Sequence, residues 1–162
     1  MGQAATSYKG RPTPRPVCLL IEDSDFDLKR FERILEASIP MQVYVATTLE
    51  EAQKVLAEMP INLIILDNML PDGLGVDFAN RLRQTVRWSK VPIIMVSDHP
   101  TPFLYDKAVS ARISMVLTKD KFQPRHVRDA LRMKRFERLM PNKSPLTKTK
   151  VAGEMPTATS KP

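Results

Sequence analysis

Cysteine is nearly absent from this chain, with one residue, Cys18, in 162. A single thiol excludes an internal disulfide framework. Cys18 heads an apolar run, so it reads as a small buried hydrophobe rather than a reactive group. Two histidines, His99 and His126, are too few and too scattered for a zinc site, and His99 reads as a solvated loop residue. Glycine is sparse too, five residues against fourteen prolines, and the prolines crowd toward the two ends. No apolar run approaches the ~20 residues that cross a bilayer. The start, Met1 to Pro16, has no apolar stretch of the signal-peptide kind. A cytoplasmic protein without a membrane segment is expected.

The positive charge is largely missing from the middle. The chain carries +7, but Lys9, Arg11 and Arg15 sit in residues 1–15, and Lys143, Lys148, Lys150 and Lys161 face only Glu154 in residues 139–162. The intervening residues 16–138 are close to neutral. Basic ends on a neutral domain do not make a nucleic-acid reader, and no recognition motif is visible. Residues 1–15 lack periodicity and read as a disordered basic arm. Residues 139–162 read as a disordered basic tail.

Between these ends, strand-like and helix-like segments alternate five times. Val17–Ile21, Met41–Ala46, Ile61–Leu66, Val91–Val96 and Ser114–Thr118 read as strands. Ser24 with Asp27 marks a helix start, and Thr48-Leu49-Glu50-Glu51 reads as a capping box. Further helices are expected from about Leu74 to Arg87, Thr101 to Ser110 and Pro124 to Arg138. Such alternation predicts an α/β domain over residues 16–138, with a doubly wound parallel sheet.

Ile61 to Leu66 is the most telling run. It is apolar throughout, as a strand buried on both faces must be, and it ends in Asp67, followed by a breaker segment with Pro71 and Gly73. Asp67 alone could be a turn or cap residue. The other strand ends argue for more. Strand one runs into Glu22 and Asp23, strand four into Ser97, and strand five into Lys119. Parallel strands put these residues at one edge, where ligands of open α/β sheets bind. Three carboxylates, a hydroxyl and an ammonium suit a hard divalent cation such as Mg²⁺ and an incoming phosphoryl group, with Asp67 as a carboxylate nucleophile.

Taken in order, the acidic pair Glu22-Asp23, the stretch Leu66-Asp67-Asn68-Met69-Leu70-Pro71-Asp72-Gly73, Ser97 and Lys119 resemble a response-regulator receiver domain of two-component signalling. The resemblance covers about Pro16 to Arg138. It implies the flavodoxin-like (βα)5 fold with strand order 2-1-3-4-5. It implies that Asp67 accepts a phosphoryl group from a histidine kinase or histidine phosphotransfer protein. Asp23 would ligate Mg²⁺ directly, Glu22 largely through water, Asp67 through its carboxylate and Met69 through its backbone carbonyl. Ser97 would hydrogen-bond the phosphoryl group and Lys119 would pair with it. Three positions depart from the family pattern: Asp98 stands where a small residue is usual, Val116 replaces the switch aromatic, and Asp120 replaces a proline.

The expected function is that of a single-domain response regulator, in a relay or with output by protein contact. It would be no enzyme beyond its own phosphorylation and dephosphorylation. The fourth helix, fifth strand and last helix would form the output face, open to a partner or a homodimer. Asp98 and Val116 motivate an alternative, a phosphorylation-independent adaptor. Nucleic-acid association through the basic ends is a third and weaker reading. The run Gly73-Leu74-Gly75-Val76-Asp77-Phe78 is no dinucleotide fingerprint, because Phe78 fills the place of the third glycine. A phosphatase of the haloacid-dehalogenase type would want a second acid at Met69.

Overall fold

The computed structural model describes residues 13–139. The arm expected over residues 1–15 and the tail over 139–162 lie almost wholly outside this span. The described chain alternates β1 (Val17–Ile21), α1 (Asp25–Glu36), β2 (Gln42–Ala46), α2 (Leu49–Glu58), β3 (Leu63–Asp67), a two-residue ribbon β4 (Met69–Leu70) with β5 (Gly73–Leu74), α3 (Gly75–Arg83), β6 (Ile93–Ser97), α4 (Pro102–Ser110), β7 (Met115–Thr118) and α5 (Pro124–Leu139). The main sheet is parallel, in the order β2-β1-β3-β6-β7, with the β4–β5 ribbon outside it. Counted without the ribbon, this is the expected order 2-1-3-4-5.

Side chains alternate across the pleat. Leu19, Ile21, Ile64, Leu66, Ile93 and Met95 join one core with Leu49, Ala52 and Leu56 of α2, Val76, Phe78 and Leu82 of α3, and Leu104 of α4. Cys18, Leu20, Leu63, Ile65, Ile94 and Val96 join the other core with Phe31 and Leu35 of α1 and Val127 and Ala130 of α5. β1, β3 and β6 are buried at every position. That double coverage is why they read as unbroken apolar runs rather than alternating ones. Cys18 is fully enclosed, and burial pushes its thiol pKa upward, in keeping with an inert hydrophobe. Met95 is core, whereas Met69 and Met133 are exposed.

Two sequence expectations are corrected. The third helix ends at Arg83, not Arg87; a 3₁₀ turn at Val86–Trp88 follows. Arg83 is the cause. Its guanidinium turns inward and donates to the carbonyls of Ala111 (2.9 Å), Trp88 (2.9 Å), Val91 (2.7 Å) and Arg112 (3.0 Å), tying the chain before β6 to the chain before β7. Arg112 adopts φ 50°, a left-handed turn usually taken by glycine. The backbone bonds Arg112 N–H to Val109 O and Ile113 N–H to Ala108 O close that turn, and Arg83 holds its carbonyl.

The capping box at α2 is also displaced. Thr48 Oγ1 accepts from Glu51 N–H at 3.1 Å, as expected, but Glu51 Oε2 takes the N–H of Thr47 (2.7 Å), one residue early. The first turn finds a remote cap instead. The Asp72 carboxylate accepts from Leu49 N–H (2.9 Å) and Glu50 N–H (3.0 Å), which holds its pKa below the usual range and ties the loop after β3 to α2. The ribbon in that loop needs Gly73, at φ 151°. Gly75 then lets α3 start against the strand end, since a Cβ there would collide with the Asp67 carbonyl oxygen.

Candidate functional site

Register assembles the site. Ile21 pairs with Leu66, so Glu22 arrives level with Asp67; Asp67 pairs with Val96, so Ser97 lies one step beyond; Ser97 pairs with Thr118, so Lys119 follows. Residues from four strands therefore reach one edge without any being close in sequence. The pleat sorts their directions. Glu22, Asp67 and Lys119 are in phase with Leu20, Ile65 and Leu117, on the side covered by α1 and α5, whereas Ser97 is in phase with Met95.

Together they line an open cleft of about 410 Å³ formed by Glu22, Asp23, Ser24, Asp27, Asp67, Met69, Ser97, Asp98, His99 and Lys119. Every sequence-predicted site residue is among them. Glu22 is wholly buried, Asp67, Ser97 and Lys119 are nearly so, and Asp23 is exposed. His99 is exposed at the rim, as a loop histidine should be. Val116 is half-buried and packs on the core, with no ring at that position.

Lys119 is the electrostatic centre. Its Nζ lies 2.8 Å from Glu22 Oε2, 2.9 Å from Asp27 Oδ2, 3.8 Å from Asp67 Oδ2 and 3.9 Å from Asp98 Oδ2. Burial opposes its charge, but the bonds to Glu22 and Asp27 and the field of Asp67 more than offset that, so its pKa lies above the ordinary lysine range. Glu22 moves upward because it is buried, and Lys119 and the Ser24 N–H on Oε1 (3.0 Å) only partly counter this. Asp67 is pushed up to about 7 by burial first and by the neighbouring Glu22 charge second, against the pull of Lys119 and the N–H groups of Met69 and Asn68.

Carboxylate oxygens of Glu22, Asp23 and Asp67 lie within 4.8 Å of one another. An all-oxygen donor set of this kind fits a hard divalent cation. The Glu22 charge adds to burial in raising the Asp67 pKa, and the ammonium lies closer to Glu22 than to Asp67. Residues present and cation therefore fit.

Sequence reading missed two residues. Asp27 was taken only for its place after Ser24, and its N–H does reach Ser24 Oγ, at 3.4 Å. Its side chain, however, goes to Lys119, 92 positions away. Arg30, one turn on, donates through Nη2 to the Lys119 carbonyl. The only sequence signal was spacing: residues three apart share a helix face.

The comparisons agree with this geometry. Residues 18–132 match the family described as response regulator receiver domain. KdpE, the KDP operon transcriptional regulatory protein of Escherichia coli K12, is 40% identical over 79 residues, which is 49% of this chain and 33% of KdpE. The chain thus matches about a third of KdpE's length. The two-component response regulator ORR3 of rice (Oryza sativa subsp. indica) is 26% identical over 100 residues, 59% of this chain and 73% of ORR3. Among solved structures, the signal receiver domain of an HD domain-containing protein from Pseudomonas fluorescens Pf-5 superposes with a TM-score of 0.70 at 24% identity, covering 80% of this chain and 96% of that one. With its five-stranded parallel sheet and the acidic edge beside Lys119, the chain belongs to the response regulator receiver domain family.

Proposed function

We propose that Asp67 is the phosphoacceptor of a two-component pathway and receives its phosphoryl group from a histidine kinase or histidine phosphotransfer protein. The observation that supports this best is a buried carboxylate at a strand end with an ammonium 3.8 Å away and two further acids beside it. An Asp67 oxygen attacks phosphorus. A P–O bond forms as the donor's P–N bond breaks, and the imidazole leaves with the electron pair. Water later attacks phosphorus, releasing inorganic phosphate and restoring the carboxylate. The Ser97 hydroxyl donates to a phosphoryl oxygen, and Lys119 pairs with the added charge. Glu22, Asp23, Asp67 and the Met69 carbonyl would hold Mg²⁺, which supplies neutralisation of the phosphoryl oxygens.

Output goes by protein contact. On the α4–β7–α5 side, α4 exposes Phe103, Tyr105 and Val109 and α5 exposes Arg125, Arg128 and Arg132, and a partner protein or a second copy would dock there. Among the described residues no helix is long and apolar enough to cross a membrane.

Intact-mass analysis with a small phosphodonor and Mg²⁺ tests the phosphoacceptor. The wild type gains one phosphoryl group and Asp67→Asn gains none. Equal labelling of both proteins refutes the assignment.

A further inference from the structure

Helix α1 grips residue 119 at both ends. Asp27 takes the ammonium at 2.9 Å, and Arg30, on the same helix face one turn later, takes the main-chain carbonyl. Lys119 has three N–H donors. Glu22 and Asp27 occupy the short contacts, at 2.8 and 2.9 Å, while Asp67 lies at 3.8 Å, beyond hydrogen-bond reach. In the resting protein Lys119 is therefore held between Glu22 and α1, and not by the strand-end aspartate it is expected to serve.

A phosphoryl group on Asp67 competes with both close partners for the same ammonium, and the partner that water can replace gives it up at the smaller cost. Glu22 has a side chain with no exposed surface, so water cannot take the place of the ammonium there. The Asp27 side chain keeps 14% exposure on the wall of the cleft, so water can replace the ammonium there. Asp27 is the partner that can be exchanged.

We infer that Asp27 is a positioning residue that latches Lys119 to α1 in the unphosphorylated state and gives it up when a phosphoryl group arrives on Asp67. This rests on the phosphoacceptor reading above and adds a residue to it. The latch stabilises only the resting state, so it opposes phosphorylation by its own strength. It also links the chemistry to α1, because the phosphoryl group draws Lys119 away from Asp27 while Arg30 continues to hold the carbonyl.

The test measures the concentration of a small phosphodonor that gives half-maximal labelling at fixed Mg²⁺. Asp27→Asn keeps the shape and removes the charge, and it lowers that concentration on the order of tenfold, the ratio set by one charge-assisted hydrogen bond. Asp27→Glu, which keeps a carboxylate within reach, restores a value near that of the wild type. A purely structural role would lower the melting temperature of Asp27→Asn and leave the half-maximal concentration unmoved, and that result overturns the latch. If the wild type takes no label at all, the phosphoacceptor reading fails instead, so the two failures are distinct. A crystal structure of the wild type with a beryllofluoride adduct on Asp67 provides a test without any variant. Lys119 Nζ is expected to leave hydrogen-bond range of Asp27, and an intact Asp27–Lys119 contact beside the adduct overturns the inference.

Discussion

Replacing Asp67 by asparagine should stabilise the fold, and by an amount that depends on pH. Asp67 has an ordinary value of 3.8 and is held at about 7 in the folded chain, by burial and by Glu22. A carboxyl whose pKa rises on folding favours the folded state while protonated and disfavours it once ionised. Stability is therefore lost as pH climbs from about 4 through 7. Undiminished, that displacement corresponds to ~4 kcal/mol at ~1.4 kcal/mol per decade. The cleft is open to water, and screening reduces the expectation to about 1–2 kcal/mol. Other carboxylates, such as Asp72 and Glu51, have lowered values and act in the opposite sense at more acid pH, but they are common to both proteins. The difference between Asp67→Asn and wild type thus isolates one group. Urea unfolding in a chelator at pH 5 and pH 8 reads it: about 0.4–0.8 kcal/mol in favour of the variant at the lower pH, about 1–2 kcal/mol at the higher. Added Mg²⁺ should close the gap at pH 8 by binding the folded wild type. Parallel stability profiles across this range would refute the argument that burial and Glu22 burden the Asp67 charge.

Two further changes probe the surroundings. Asp98 adds an exposed negative charge 3.9 Å from Lys119 at the mouth of the cleft, so Asp98→Ala should speed labelling by an anionic phosphodonor about two- to threefold, an advantage that shrinks as salt is raised; equal rates at low salt would show that this charge does not matter. Arg83→Met removes four hydrogen bonds to buried carbonyls and should cost about 3–4 kcal/mol at roughly 1 kcal/mol per bond, read by urea unfolding; a loss under 1 kcal/mol would mean that water takes over the carbonyls.

Much of this was legible in the sequence because parallel sheets write themselves plainly. The run ending in Asp67 announced a strand covered on both faces, and β3 is buried from Leu63 to Asp67. Once five such runs were placed in parallel, Glu22, Asp67, Ser97 and Lys119 had to share an edge, since register carries strand ends together regardless of sequence distance. What stayed hidden was direction. Arg83 counts as polar in any periodicity, so a helix pattern runs past it; only the fold reveals carbonyls aimed at it from two loops. Asp27 satisfies a local rule, three residues after Ser24, and nothing in that rule points to Lys119. Its more consequential contact spans the chain. The Glu51 side chain shows the same limit on a smaller scale, with the right residues present and the donor shifted by one position.

Arg83 has a further consequence, because it divides the sheet into two electrostatic territories. The edge with Asp67 is built from acids and one shared ammonium, so its charge answers to protons. The opposite edge, where β6 and β7 begin, is clasped by a guanidinium on four neutral carbonyls, with no acid among those partners. Burial lowers the Arg83 pKa only to about 10, so that clasp stays charged throughout the range in which Asp67 titrates. One end of the sheet can therefore change its charge with pH while the other end keeps its own, so titration at the Asp67 edge leaves the clasp at the far edge intact.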